Sequence, residues 1–159
     1  MTTELHVRPA IADDLPRLGA LAESLVRLHH AFDPARFLLT PGVAAGYQRW
    51  FGQEIQNPDA VLLVAAEGDA VLGYAYGRVE GRDWNMLLDR HGALHDILVD
   101  PAARGRRVGE ALLEAFLAAI KARGVPRVVL HTAVQNERAQ ALFAKAGFRP
   151  TMLEMTREL

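Results

Sequence analysis

The stretch from residue 94 to residue 120 constrains the fold of this chain more than any other part of the sequence. Its first residues, Leu94 to Val99, form an apolar run typical of a strand, and from Val108 the apolar residues recur with the period of an amphipathic helix. Between them lies a short turn rich in glycine and arginine. The apolar run Val128 to Leu130 follows. The sequence therefore predicts a strand–helix–strand unit with parallel strands and a right-handed crossover.

The turn between this strand and this helix has the properties of a phosphate-binding loop. Backbone N–H groups at the start of a helix have no intrahelical acceptor, and the helix dipole is positive there. Gly105 and Gly109 let the backbone approach a ligand closely, because they carry no Cβ. Arg104, Arg106 and Arg107 add charge and forked donors that suit phosphate oxygens. The turn therefore predicts a site for a pyrophosphate group.

Composition excludes several classes of function. The 159 residues fit one domain, residues 1–159, and 50% of them are hydrophobic. A formal net charge of −1 gives no global basic field for nucleic acid or an anionic membrane, and the lack of cysteine excludes disulfides, thiolate metal sites and a cysteine nucleophile. No apolar run approaches the roughly 18 residues of a membrane helix, and the N-terminus lacks a signal-peptide pattern. We expect a soluble, cytoplasmic protein.

The rest of the chain alternates predicted helices and strands without a linker or an internal repeat. Asp13 is a candidate cap for the first helix, and Gly68-Asp69 marks the turn of an antiparallel hairpin. Together with the parallel unit, this hairpin predicts a mixed sheet. The strand at 128–130 is expected to be buried on both faces, because it is continuously apolar. The predicted elements are a strand at 5–8, helices after Asp13 and over 41–56, strands at 61–66, 71–78 and 93–99, a helix at 108–120, a strand at 128–130, a helix after Asn136 and a final strand at 148–158.

Two motifs give the chain a resemblance to a known superfamily, the GCN5-related N-acetyltransferases (GNAT). Arg104 to Gly109 is similar to that superfamily's phosphate loop, Arg/Gln-x-x-Gly-x-Gly/Ala, except that Arg107 replaces the middle glycine. The order of the elements also resembles the superfamily along nearly the whole chain. A later motif, Asn-x-x-Ala-x-x-Leu-Tyr followed by Gly-Phe, is matched by Asn136, Ala139, Leu142, Gly147 and Phe148.

The resemblance implies a fold and a cofactor. The fold is α/β (α+β), with a mixed central sheet of about six to seven strands, flanked by about four helices and splayed at an acetyl-CoA cleft. The pantetheine arm of acetyl-CoA can then pair with the open edge of the strand at 97–99. The residues implied in acetyl-CoA binding are Ile97, Leu98, Val99, Arg104, Gly105, Arg106, Arg107, Val108, Gly109, Glu110, Asn136 and Phe143.

The implied reaction is direct transfer of an acetyl group to a primary amine, which needs a base to take the amine's proton. The resemblance directs attention to the strand before the phosphate loop, where this chain has His95 and Asp96, and Glu80 is a third candidate. Because neighbouring strand residues point to opposite faces, at most one of His95 and Asp96 is expected to face the cleft, with His95 on the face of Ile97. The backbone N–H of Leu98 is implied as the donor to the developing oxyanion.

Phe143 stands where the superfamily has a tyrosine near the sulfur, its usual proton donor. Phenylalanine fills the same volume but has no proton to give. Either Tyr74, Tyr76 or a water takes over, or the thiolate leaves unprotonated, or transfer is slow. The alternative function is therefore an acetyl-CoA-binding GNAT-like module with little or no transferase activity.

The acceptor is expected to be the primary amine of a small molecule or a peptide. By resemblance, the segment around residue 30 borders the acceptor pocket, which makes His29, Phe32 and Asp33 candidate acceptor-binding residues. The spacing of His29 and Asp33 also suits a metal, but no third ligand is in view, so no metal is expected. Many superfamily members bury a terminal strand against a second subunit, and the predicted strand at 148–158 therefore favours a homodimer.

Overall fold

A computed structural model describes residues 4–159 and shows a five-stranded sheet whose strands lie in the order of the sequence. Neighbours from the first to the fourth strand are antiparallel, and the last pair is parallel. The mixed sheet and its strand–helix–strand unit are therefore confirmed. The strands are β1 (Leu5–Pro9), β2 (Ala60–Glu67), β3 (Ala70–Glu80), β4 (His91–Val99) and β5 (Val128–Leu130).

Four helices cover the two faces of the sheet. α1 (Leu15–Phe32) and α2 (Val43–Glu54) pack on one face, and α3 (Val108–Lys121) and α4 (Glu137–Lys145) pack on the other. Each face has its own buried core, because each helix turns an apolar stripe towards the sheet. None of the helices within residues 4–159 is long and apolar enough to cross a bilayer.

The C-terminal segment does not form the strand that the sequence predicts at 148–158. Residues 149–159 have no regular structure, and all of them are exposed. Leu153 and Met155 would share one face of such a strand, but both are exposed, so no burial of apolar surface holds the segment on the sheet. The sheet therefore has five strands rather than six or seven. β5 is half-buried rather than buried on both faces, because it is an edge strand of the sheet.

The start of α1 also differs from the prediction, because Asp13 is exposed and a short 3₁₀ turn over Ala12–Asp14 precedes the helix. The buried carboxylate of Asp14 instead accepts two hydrogen bonds from Arg8, at 2.7 and 3.0 Å, and one from the Ile11 N–H at 2.9 Å. The Arg8 guanidinium holds the pKa of Asp14 below its ordinary value. This ion pair joins β1 to the beginning of α1.

β4 contains a β-bulge that the sequence pattern does not reveal. Asp96 lies opposite Tyr76 on β3, whereas Leu94 lies opposite Gly77, so His95 has no cross-strand partner of its own. An extra residue of this kind interrupts the alternation of side chains along a strand.

The bulge turns two adjacent polar side chains to the same face of the sheet. The His95 ring stacks on Tyr76, and Asp96 accepts a hydrogen bond from Tyr74. Both tyrosines belong to the core under α1 and α2. The expectation that His95 and Asp96 point to opposite faces, with His95 on the face of Ile97, is therefore wrong.

β4 and β5 separate after three residue pairs. Residues 92–94 pair with residues 128–130, and within residues 4–159 the rest of β4 has no strand partner on that side. The two strands therefore open into a wedge beside the end of β4, as the resemblance implies.

Candidate functional site

A cavity of about 380 Å³ occupies this wedge. Its wall is formed by the end of β4, the loop that precedes α3, the first turn of α3, part of α4, and Leu25 and Leu28 of α1. Arg106 and Phe143 do not lie in this wall. The other residues implied in acetyl-CoA binding do, namely Ile97, Leu98, Val99, Arg104, Gly105, Arg107, Val108, Gly109, Glu110 and Asn136.

The loop before α3 presents a run of backbone donors. The N–H groups from Gly105 to Glu110 have no protein acceptor within residues 4–159, and the first hydrogen bond of the helix runs from Ala111 to the Arg107 carbonyl at 3.1 Å. Free donors at a helix start form a ready site for an anion. The predicted phosphate loop thus has the backbone arrangement that such a site needs.

The loop curls because two of its residues adopt left-handed backbone conformations. Gly105 has φ 75° and Arg107 has φ 61°. A Cβ on Gly105 meets nothing within 4 Å, so conformation rather than space favours glycine there. Arg107 therefore adopts, at some conformational cost, the backbone geometry for which the superfamily's middle glycine is suited.

The charges around the loop are partly paired. Arg106 forms an ion pair with Glu67 at the end of β2. Glu110 lies 2.7 Å from Lys145 and 3.6 Å from Arg107. The hydrogen bond from Lys145 lowers the pKa of Glu110. The carboxylate of Glu110 is therefore ionised at neutral pH and tempers the positive charge of the loop.

The open edge of β4 offers the backbone of Ile97 and Val99. The Asp100 N–H donates to the Leu72 carbonyl on β3 at 2.7 Å. Because backbone groups alternate along an antiparallel strand, the Leu98 N–H also faces β3, and its two neighbours face the wedge. The sequence predicts that the Leu98 N–H donates to the oxyanion, but in this register that N–H faces β3. The Ile97 N–H faces the wedge instead.

Two residues of the later motif have different positions. Asn136 caps α4, since its side-chain oxygen accepts a hydrogen bond from the Ala139 N–H at 3.2 Å, and it also reaches the cavity wall. Phe143 packs in the core, with its ring 5.9 Å from that of Phe148. Leu142 lines the cavity and Phe143 does not, so the implied contact of Phe143 with the cofactor stays a prediction.

Two of the three candidate bases are in contact. His95 Nε2 lies 2.7 Å from Glu80 Oε1, and the other oxygen of Glu80 lies 3.8 Å from Nε2 of the buried His91. A carboxylate only accepts hydrogen bonds, so the proton of a neutral His95 is assigned to Nε2. Nδ1 has no hydrogen-bond partner among residues 4–159 and is left to accept a proton.

The third candidate base belongs to a separate tyrosine cluster. The Tyr74 hydroxyl donates to Asp96 Oδ2 at 3.0 Å. Burial raises the pKa of Asp96, raises that of Tyr74 well above its usual value and raises that of Tyr47 to about 12. The environment therefore favours the neutral form of each of these groups.

The candidate acceptor residues surround the end of α1, outside the cavity wall. His29 Nδ1 lies 2.9 Å from the Leu25 carbonyl, and its ring meets Phe32 and Phe37 edge-on at 5.7 and 5.2 Å. Asp33 accepts hydrogen bonds from the next backbone N–H groups, at 3.1 and 3.2 Å, and so ends the helix. Across residues 4–159, no group of three or more histidine, aspartate or glutamate side chains is arranged to hold a metal ion.

Sequence reasoning missed Glu54, a buried carboxylate beneath this site. It accepts a hydrogen bond from the Tyr76 hydroxyl at 2.6 Å and one from Asn57 at 3.2 Å, and Arg78 lies 3.6 Å away. No motif marks Glu54. Its spacing of three residues from the buried Phe51 is the one signal that places it on the inner face of α2.

Comparison with known proteins gives matches over most of the chain. A family model described as the Acetyltransferase (GNAT) family matches residues 23–148. Mycothiol acetyltransferase of Beutenbergia cavernae is 35% identical over 104 residues, which are 65% of this chain and 31% of that protein. The chain thus spans about a third of that relative's length. L-methionine sulfoximine/L-methionine sulfone acetyltransferase of Pseudomonas paraeruginosa is 28% identical over 144 residues, 89% of this chain and 78% of that protein.

Solved structures share the fold over nearly the whole chain. A tetramutant of the BH1408 protein of Bacillus halodurans superimposes with a TM-score of 0.83 at 21% identity, covering 97% of this chain and 99% of that one. A predicted acetyltransferase of Clostridium acetobutylicum, solved with acetyl-CoA, superimposes with a TM-score of 0.71 at 18% identity, covering 96% of each chain. At these identities the likeness concerns the fold.

Proposed function

Because the chain belongs to the Acetyltransferase (GNAT) family, we propose that it transfers the acetyl group of acetyl-CoA to a primary amine of a small molecule. The observation that carries this proposal is the run of N–H groups from Gly105 to Glu110. Within residues 4–159 these groups have no acceptor, and they open onto a cavity beside a strand edge that has no partner there. A diphosphate suits such a concave set of donors, and an extended chain bearing amides suits the strand edge.

The residues around the cavity fit acetyl-CoA. The N–H groups of the loop and the side chain of Arg104 would hold the diphosphate, and the backbone of Ile97 and Val99 would pair with the pantetheine arm. Acetyl-CoA supplies the acetyl group as a reactive thioester. The absence of a side chain at Gly109 leaves room in the cavity. A Cβ there would lie 3.4 Å from Leu142, and a larger side chain would enter the cavity.

We assign the proton transfer to His95. Its Nδ1 takes the proton of the attacking amine as the new C–N bond forms and the C–S bond of the thioester breaks, with coenzyme A leaving as the thiolate. Glu80 accepts the Nε2–H and stabilises the cation that forms on His95. The Ile97 N–H on the open edge donates to the oxygen on which negative charge develops. Glu80 therefore orients the base rather than acting as a second one.

The relatives support a small-molecule acceptor. Their names give mycothiol in one case, and methionine sulfoximine and methionine sulfone in the other. The second relative is matched over most of its own length, so its acceptor is the more useful guide to an acceptor of amino-acid size. Because Phe143 lies in the core, its missing hydroxyl no longer favours a module that binds acetyl-CoA without transfer.

Two measurements on the purified chain test the proposal. Calorimetry with acetyl-CoA is expected to show binding that is lost in Gly109→Val, while the thermal stability of this variant stays within a few degrees of the parent. A thiol-release assay against amino-acid analogues, polyamines, amino sugars and peptide N-termini is expected to identify an accepted amine. Absence of binding at millimolar acetyl-CoA contradicts the cofactor site, and binding without release for any amine contradicts the transfer.

We also propose that the chain forms a homodimer through its C-terminal segment. Met152, Leu153 and Met155 are 66%, 83% and 89% exposed, and adjacent exposed apolar side chains are typical of a contact surface. Light scattering is expected to give a dimer for the full chain and a monomer for a variant that ends at Phe148. A monomeric full chain at high protein concentration contradicts the proposal.

A further inference from the structure

Two contacts hold the imidazole of His95. Glu80 binds its Nε2 at 2.7 Å, and the phenol ring of Tyr76 lies against its face, with ring centroids 5.8 Å apart and planes 29° apart. The His95 side chain is 43% exposed, so these two contacts, rather than enclosure on all sides, limit its rotamer. The direction of Nδ1 therefore depends on where the Tyr76 ring lies.

Tyr76 is in turn fixed by α2. Its hydroxyl donates to Glu54 Oε2 at 2.6 Å, a short bond of the kind formed with a charged acceptor, and its ring meets Phe51 at 5.2 Å. Burial raises the pKa of Tyr76, so the hydroxyl keeps its proton and remains a donor at neutral pH. One helix therefore holds both the ring and the hydroxyl of Tyr76.

Glu54 has partners for both of its carboxylate oxygens. Only 5% of the residue is exposed, Oε1 accepts from Asn57 at 3.2 Å, and Arg78 lies 3.6 Å from Oε2. A buried carboxylate loses hydration, and an apolar side chain of similar size at such a position is often equally stable or more stable. The presence of a carboxylate at this position is therefore explained better by its hydrogen bond with Tyr76 than by a contribution to the packing of α2.

We infer that Glu54 is a positioning residue for acetyl transfer, which fixes the Tyr76 ring through its hydroxyl and thereby aligns the imidazole of His95. The inference rests on the proposed function, because it takes His95 as the base. Glu54 lies outside the wall of the acetyl-CoA cavity. Its loss should therefore affect turnover rather than the binding of acetyl-CoA.

Four variants separate this role from a purely structural one. Tyr76→Phe keeps the ring and removes the hydroxyl, Glu54→Leu removes the acceptor, and Glu54→Gln keeps an acceptor oxygen. Gln53→Leu places a leucine at the neighbouring exposed position of α2 and serves as the control. His95 ring resonances, assigned in NMR spectra with His95→Gln, report the ring position without reference to activity, because the Tyr76 ring current acts on them.

We expect Tyr76→Phe and Glu54→Leu to shift the His95 ring resonances and to lower kcat about tenfold, with KM for acetyl-CoA unchanged, because a small misplacement of a reacting group is costly. Glu54→Gln should restore most of kcat, and Gln53→Leu should change neither quantity. Unchanged His95 ring resonances in folded Tyr76→Phe overturn the inference. A loss of thermal stability in Tyr76→Phe and Glu54→Leu with kcat unaltered also overturns it. If the parent turns over no amine, the proposed function fails, and the ring resonances alone decide whether Glu54 holds His95.

Discussion

Glu80 Oε1 lies 2.7 Å from His95 Nε2, although the two residues are 15 positions apart and stand on different strands. His91 lies directly opposite Glu80, and alternation along β4 turns His91 and His95 to the same face of the sheet. The bulge after His95 brings Asp96 to this face as well, and Ile97 then packs on the α3 face. The proposed base and its orienting carboxylate therefore share a face through the regular part of β4.

Replacement of His95 tests the assignment of the base. We expect His95→Ala to lower kcat/KM by about 10² to 10⁴, the usual contribution of general acid–base catalysis, and Glu80→Gln to lower it less. Steady-state thiol release measures both effects, and calorimetry should show unchanged acetyl-CoA binding. His6→Ala, at an exposed position of β1, is the control for loss of a histidine. If Asp96→Asn abolishes turnover while His95→Ala does not, the assignment is wrong.

The ion pair between Arg106 and Glu67 predicts that removal of an acidic residue increases the affinity for acetyl-CoA. Arg106 is bound to Glu67 in the structure and must leave it to contact a diphosphate. Since half-exposed ion pairs contribute about 0.2–1 kcal/mol, Glu67→Gln should tighten acetyl-CoA binding by up to about fivefold, and Arg106→Ala should weaken it.

Calorimetry at low salt measures both variants. Glu114→Gln removes the same charge from an exposed position of α3 and controls for a general change of potential. If Glu67→Gln and Glu114→Gln bind acetyl-CoA with equal affinity, Glu67 does not compete with the diphosphate for Arg106.

The sequence predicts those parts of this site that depend on local chemistry. The loop from Arg104 to Gly109 could be predicted, because glycines, arginines and a helix start act over a few residues. The five strands and four helices also follow from apolar periodicity, although the segment at 148–158 has apolar residues without forming a strand. The bulge at His95 and the burial of Glu54 could not be predicted, since both arise from how distant segments pack, and unbroken alternation along β4 would place His95 and Asp96 on opposite faces.

The close packing of β3 against β4 at the bulge requires a residue without a side chain at position 77, which is Gly77. A Cβ there would clash with the Ala93 carbonyl oxygen and would lie 2.5 Å from the Phe116 ring. Because one of these atoms is backbone, Gly77→Ala should force β3 and β4 apart and lower the free energy of unfolding by about 1–3 kcal/mol. His95 should lose its contact with Glu80, so kcat should fall as well.

Gly52→Ala is the matched control for this glycine. It lies within α2, where a Cβ would meet only Leu15 at 3.6 Å, so alanine should stabilise the chain by about 0.5–1 kcal/mol. Urea unfolding compares the two variants. A stabilising Gly77→Ala would contradict the close packing of β3 and β4 at the bulge.

Asp14 gives the chain a stability that depends on pH. Its pKa is lowered mainly by the hydrogen bonds from Arg8, so the ionised form is favoured in the folded protein. A carboxyl group of lowered pKa stabilises the fold above its unfolded pKa of about 4, and this stability is lost as the pH falls towards the folded pKa. Asp14→Asn should therefore lower the free energy of unfolding by about 2 kcal/mol at neutral pH, and the difference should shrink below about pH 4. Urea unfolding at pH 7 and pH 3 measures both values, with the exposed Asp13→Asn as the control. A difference between Asp14→Asn and the parent that stays constant over this range would show that the ion pair with Arg8 does not contribute.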